Sequence, residues 1–283
     1  MSEKTGTPPL VSAQWLAERL DDPGVRIVEI AGTGQEQKQK YRAGHIPGAL
    51  CWWWKDALWD ANMRDFPAPD AFACLCADNG IGNDTTVVFY GEGIQFGVYA
   101  WWAFTYCGHD RAAVLDGGRY RWVKEGRALT RDVPQFPRAQ YAVRKRREDM
   151  RVDYRNVLHG LDNAGRVLLD GRSPQEYEGT RVNTPEGPDV GAVRYGRIPG
   201  AKHIYFEQLL NEDKTFRALP ELRSLFEAAG AIPDKETVAY CRMSHRATVL
   251  YFALTRLLGY GDVKVYDGSW TEWGNMVGVP VER

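Results

Sequence analysis

The sequence predicts an α/β protein made of two tandem copies of one unit, each a mainly parallel sheet covered by helices on both faces. Three observations carry that expectation. The chain has 283 residues, and at roughly 100–200 residues per domain this length suits two domains. Its two halves repeat one another in the same order. Its strands are short, apolar throughout and alternate with helical stretches, the pattern of parallel strands buried on both sides.

In chain order, the apolar run Arg26-Ile27-Val28-Glu29-Ile30 matches Arg166-Val167-Leu168-Leu169-Asp170. The turn Gly44-His45-Ile46-Pro47-Gly48-Ala49 matches Gly196-Arg197-Ile198-Pro199-Gly200-Ala201. Pro69-Asp70 and Pro220-Glu221 each open a helix that ends at a glycine, Gly80 and Gly230. Thr86-Val87-Val88-Phe89-Tyr90 matches Thr237-Val238-Ala239-Tyr240, and Asp116-Gly117-Gly118 matches Asp267-Gly268-Ser269. The stretch Ala247–Leu254 is apolar almost all round, so it predicts a buried helix, with Gly259 suited to its C-terminal cap. Between the halves lies a charged stretch with two prolines and weak periodicity, which predicts a linker. The expected boundaries are 1–133 for the first domain, 134–150 for the linker and 151–283 for the second domain.

The formal net charge is −1, so no basic field argues for nucleic acid or an anionic membrane surface. Arg144-Lys145-Arg146-Arg147 is followed by Glu148-Asp149 and reads as a solvated part of the linker. No apolar run approaches the ~18 residues of a membrane span, and the N-terminus lacks a signal-peptide pattern. These features point to the cytoplasm. Cys51, Cys74, Cys76, Cys107 and Cys241 form an odd set without framework spacing, as expected of free thiols in a reducing compartment. Cys74 and Cys76 lack a second pair or a His cluster and read as buried small hydrophobes, so no metal site is expected.

The halves differ where chemistry would sit. The second-half strand runs into Cys241-Arg242-Met243-Ser244-His245-Arg246, whereas the first-half strand runs into Tyr90-Gly91-Glu92-Gly93. An ungapped pairing sets Tyr90 opposite Cys241, and a shift of one sets Gly91 there. Neither is a nucleophile. A loop between a parallel strand and a buried helix is where open α/β sheets hold ligands. The helix N-terminus brings unpaired N–H groups and partial positive charge, and two arginines with His245 add to it. All of these favour a thiolate at Cys241 and an anion beside it.

Four fragments, Gly44–Ala49, Leu115-Asp116-Gly117-Gly118, Tyr240-Cys241-Arg242 and Val265-Tyr266-Asp267-Gly268-Ser269-Trp270-Thr271-Glu272-Trp273, stand in one order and spacing. With them the whole chain resembles the tandem-domain rhodanese family of thiosulfate and 3-mercaptopyruvate sulfurtransferases, bacterial thiosulfate enzymes above all. The resemblance implies a silent N-terminal domain and a C-terminal cysteine that carries a persulfide in a six-residue loop, which Cys241–Arg246 fits. It implies Cys241 as the nucleophile and Arg242, Met243, Ser244, His245 and Arg246 as the substrate-binding loop, without metal or organic cofactor. The basic residue after the cysteine, Arg242, resembles thiosulfate enzymes rather than the small glycine-rich loop of mercaptopyruvate enzymes.

There are departures. Ser244 stands where the family commonly has glycine. An arginine found in many vertebrate members of the family is missing at Gln175-Glu176-Tyr177, with Arg181 or Arg194 as candidate substitutes. The expected donor is a small sulfur-bearing anion, and the expected acceptor is cyanide, a thiol or a sulfur-carrier protein. Alternative readings are a mercaptopyruvate enzyme, a protein sulfur carrier and a non-catalytic binding module. Among other candidates, His45 reads as a structural turn residue. Trp52-Trp53-Trp54 and Trp101-Trp102 read as packing, and Asp170 with Arg172 as a structural ion pair.

Overall fold

The computed structural model describes residues 7–32 and 35–283. The N-terminal Met1–Gly6, read above for a targeting signal, lies outside the described residues. Two compact units emerge: the chain up to Arg147 together with Glu212–Thr215, and Glu148–Asn211 together with Phe216–Arg283.

The first unit runs β1 (Leu10–Val11), α1 (Ala13–Ala17), β2 (Val25–Ala31), α2 (Gln35–Ala43), β3 (Ala49–Trp53), α3 (Trp54–Leu58), α4 (Pro69–Asp78), β4 (Thr86–Gly91), α5 (Ile94–Tyr106), β5 (Ala112–Leu115) and α6 (Gly118–Lys124). The second runs β6 (Arg151–Val152), α7 (Tyr154–His159), β7 (Arg166–Asp170), α8 (Pro174–Tyr177), β8 (Lys202–His203), α9 (Leu219–Ala228), β9 (Glu236–Tyr240), α10 (His245–Phe252), β10 (Val263–Tyr266) and α11 (Ser269–Trp273). Each unit holds a five-stranded sheet whose strand pairs are all parallel, ordered β1-β5-β4-β2-β3 and β6-β10-β9-β7-β8. The expected doubling is therefore present in topology as well as in sequence.

The apolar runs become strands because helices cover both faces. Every residue of β4 and of β5 is buried. α10 is buried at all eight positions, as its all-round apolar pattern predicts, and continues into a wider π turn at Ala253–Leu257. In the first unit Trp52, Trp54, Trp101 and Trp102 are all buried. Trp54 Nε1 donates to Gly32 O and Trp101 Nε1 to Ala112 O. His45 is buried as a turn residue, with Nδ1 at Tyr41 O, Nε2 at Asp132 O and its ring stacked on Tyr41.

Two segments differ from expectation. Cys76 is buried, but Cys74 is exposed. Positions two apart on a helix point roughly 200° from one another, so a C-x-C pair cannot share one face. Residues 134–147 lie against the first unit. Ala139 N donates to Ala77 O, Asn83 brackets Ala142 through both backbone groups, and Arg147 N donates to Tyr106 O. Arg146, read above as solvated, donates to the carbonyls of Phe66 and Pro67. Partners supplied by another surface leave no periodic trace in the segment itself. No helix among the described residues is long and apolar enough to cross a membrane.

Candidate active site

In the second unit the chain leaves β7 toward β8 on one side, and leaves β9 toward β10 on the other. Connections that diverge from adjacent parallel strands open a crevice at their carboxyl ends, the usual ligand position in such sheets. Asp170 pairs with Tyr240 across these strands. Immediately beyond them stand Gly171-Arg172 on one side and Cys241 on the other.

Cys241 is 1% exposed. Its N–H donates to Ser269 Oγ at 3.2 Å, and its carbonyl accepts from Trp270 N at 2.9 Å. Ser269 Oγ in turn donates to Tyr266 O. Arg242 O accepts from Thr271 N and Oγ1, both at 3.1 Å. The loop backbone is thus hung on α11. The N–H groups of Arg242, Met243 and Ser244 have no protein partner among the described residues. α10 begins at once behind them, so the end of its dipole adds positive potential to the same turn.

Ser244 adopts φ +70°, the left-handed region in which glycine is usual. Its hydroxyl donates to Asp267, through both the backbone carbonyl and Oδ1. Asp267 also pairs with Arg151 at 3.1 Å. The side chain that makes the conformation costly therefore supplies the bonds that hold it.

Arg246 is buried and lays both terminal nitrogens on Glu176, at 2.6 and 2.8 Å. Burial works against both charges, yet their mutual hydrogen bonds win. Glu176 is held below its ordinary range and Arg246 above its own. Glu176 also accepts from Ser173 N and Oγ in a capping box that starts α8. Arg242 is half-buried, with Nη2 donating to Val190 O at 2.9 Å. Burial pulls its guanidinium below the ordinary value; the charge on Arg246 acts in the same direction, and Glu176 and Cys241 oppose it. His245 turns back on the loop, with Nδ1 2.9 Å from Met243 O.

The other sequence candidates fall outside this arrangement. Asp170 and Arg172 form a fully buried ion pair, with Arg172 also donating to Gly196 O and lying 4.4 Å over Trp270. Arg181 donates to Asn183 O and Gly187 O. Arg194 donates to Gly274 O, Val279 O and Trp273 O, so its arms are spent on backbone.

Sequence reasoning passed over Ser269 and Glu176. Ser269 had a visible signal, because the repeat sets it opposite Gly118. Both adopt a left-handed backbone, φ +53° and +51°, so the serine adds a hydroxyl beneath the cysteine at a position whose φ the two units share. Glu176 had none, since its partner lies 70 residues away. The first unit also resolves the pairing of the two loops. Tyr90 hydroxyl accepts from Ile46 N at 3.2 Å, as Tyr240 hydroxyl accepts from Ile198 N at 3.2 Å. Gly91 is therefore the counterpart of Cys241.

A deeply set thiol at a sheet switch point, fronted by unpartnered N–H groups and two guanidiniums, defines a class of proteins built for nucleophilic sulfur chemistry on anions. Comparison with known proteins gives the same class. The Rhodanese-like domain family matches residues 12–125 and again 155–276. The chain belongs to this family of rhodanese-type sulfurtransferases. It is 45% identical to the sulfur carrier protein TtuD of Thermus thermophilus over 279 residues, 97% of this chain and 96% of the relative. It is 40% identical to a putative thiosulfate sulfurtransferase of Haloferax volcanii over 97% of this chain and 96% of the relative. Among solved structures, the 3-mercaptopyruvate sulfotransferase SseA of Escherichia coli superposes with a TM-score of 0.79 at 27% identity, over 93% of this chain and 99% of that one. EanB superposes with a TM-score of 0.84 at 26% identity, over 97% of this chain and 69% of that one.

Proposed function

We propose that the chain moves a sulfane sulfur from thiosulfate to a thiophilic acceptor through a persulfide on Cys241. The reading rests chiefly on one observation: Cys241 opens a six-residue loop whose Arg242, Met243 and Ser244 N–H groups have no protein partner among the described residues. Such a concavity stabilises negative charge on sulfur without desolvated donors of its own going unmet.

In the first half-reaction the Cys241 thiolate attacks the outer sulfur of thiosulfate. A new S–S bond forms, the bond to the sulfonate breaks, and sulfite departs with the electron pair. The outer sulfur of the persulfide then carries the negative charge within the loop. In the second half-reaction cyanide or a thiolate attacks that outer sulfur and restores the Cys241 thiolate, a ping-pong sequence. Arg242 faces the donor's sulfonate. Arg246, engaged by Glu176, adds its field while fixing where the loop meets α10. His245 and Met243 complete the loop around the donor.

A second reading has its own support. The similarity to the sulfur carrier TtuD favours a protein acceptor, with the same persulfide passed between chains. Thiosulfate and 3-mercaptopyruvate offered at equal concentration to the wild type and to Cys241→Ala test both. Thiosulfate turnover lost in the variant is the expected result. Faster turnover of mercaptopyruvate would sink the donor assignment, and a stable persulfide mass on Cys241 with poor turnover of either donor would favour the carrier.

A further inference from the structure

The segment from Arg181 to Tyr195 is an irregular strap held chiefly by arginine side chains and backbone. Near its end it meets the catalytic loop in a closed ring of hydrogen bonds. Arg242 Nη2 donates to Val190 O at 2.9 Å. One residue on, Gly191 O accepts from Asn275 Nδ2 at 3.1 Å, and Val193 N donates to Asn275 Oδ1 at 3.0 Å. Asn275 Nδ2 also donates to Thr271 O at 2.9 Å, and Thr271 holds the Arg242 carbonyl. Asn275 therefore fixes the strap to the same helix that carries the backbone of Arg242.

Gly191 is where the strap touches the guanidinium. It has φ +122°, which side chains rarely adopt, and a Cβ there would stand 2.6 Å from Arg242 Nη2 and 3.2 Å from its Cζ. Arg242 Nε is shut off from solvent with no protein partner among the described residues. The guanidinium lies close enough to Cys241, Arg246 and Glu176 to feel their charges. An orphaned buried N–H is costly unless a ligand meets it.

We infer that Gly191 and Asn275 are positioning residues: the strap they hold aims Arg242 beside Cys241, and so makes the site select small anions. The inference deepens the thiosulfate reading, because a dianionic donor gains more from a fixed guanidinium than a neutral one. It does not depend on turnover.

The test is the rate at which Cys241 is alkylated by anionic iodoacetate relative to neutral iodoacetamide, read on the Cys241 peptide by mass. Wild type, Gly191→Ala and Asn275→Ala are each compared alone and on an Arg242→Gln background. The iodoacetate preference is expected to fall several-fold in both strap variants, to the level of Arg242→Gln alone, with no further fall on that background. Asn275→Ala leaves the glycine turn intact, and so guards against a Gly191 variant that fails to fold. Where thiosulfate is turned over, KM should rise several-fold with kcat within about twofold. An unchanged alkylation ratio in the strap variants would overturn the inference, as would an equal fall with Arg242 already removed. Absence of thiosulfate turnover by the wild type would count against the donor assignment alone, since alkylation needs no donor.

Discussion

Ser244 shows how one side chain can impose a strain and offset it. A left-handed backbone costs a non-glycine residue roughly 1–2 kcal/mol. Losing the hydroxyl, and with it the buried bonds to Asp267, costs about 1–3 kcal/mol. Ser244→Gly surrenders the bonds but relieves the strain, whereas Ser244→Ala surrenders the bonds and keeps it. Denaturant midpoints are expected to place Gly close to wild type and Ala below both by about 2 kcal/mol. Equal stability of Ala and Gly would remove the strain from the account. The departure from glycine was visible in the sequence, but its compensation was not, because Asp267 lies 23 residues further along the chain.

At the scale of elements, legibility followed periodicity. β4 and α10 declared themselves as continuous apolar runs, and their burial follows. The strap and the 134–147 stretch did not, because the first is held by irregular bonds within itself and to residues elsewhere, and the second by partners elsewhere, neither of which leaves a periodic pattern. The clip between α8 and α10 is a case of the same kind with a pH signature. Glu176 sits below its ordinary range in the folded chain, so its contribution to stability is complete above that range, near pH 4.3 for a free glutamate. That contribution drains away as pH falls through the lower folded value. Glu176→Gln should lose about 3–5 kcal/mol at neutral pH by stranding Arg246, and should show a shallower decline of stability on acidification. A decline as steep as that of wild type would assign the acid sensitivity to other carboxylates.

For the molecule as a whole, the duplication was the most legible feature, since topology repeats strand for strand. The identity of the loop opposite Cys241 was less so, because an ungapped comparison and a one-residue shift were equally good until the tyrosine hydroxyls chose between them. Gly91→Cys places a thiol at the matching position of the first unit. It is expected to destabilise that unit and to acquire no persulfide, with a single persulfide mass per chain still found on Cys241. A second persulfide at residue 91 would show the two loops to be interchangeable.

The reason for expecting otherwise lies in the space around Gly91. A Cβ there would stand 2.9 Å from Ile30 O and 3.1 Å from Phe96 Cβ, so a strand and a helix have both closed onto the position. Any side chain at residue 91 therefore needs β2 and α5 to give way together, so the packing of the first unit by itself reserves that position for glycine.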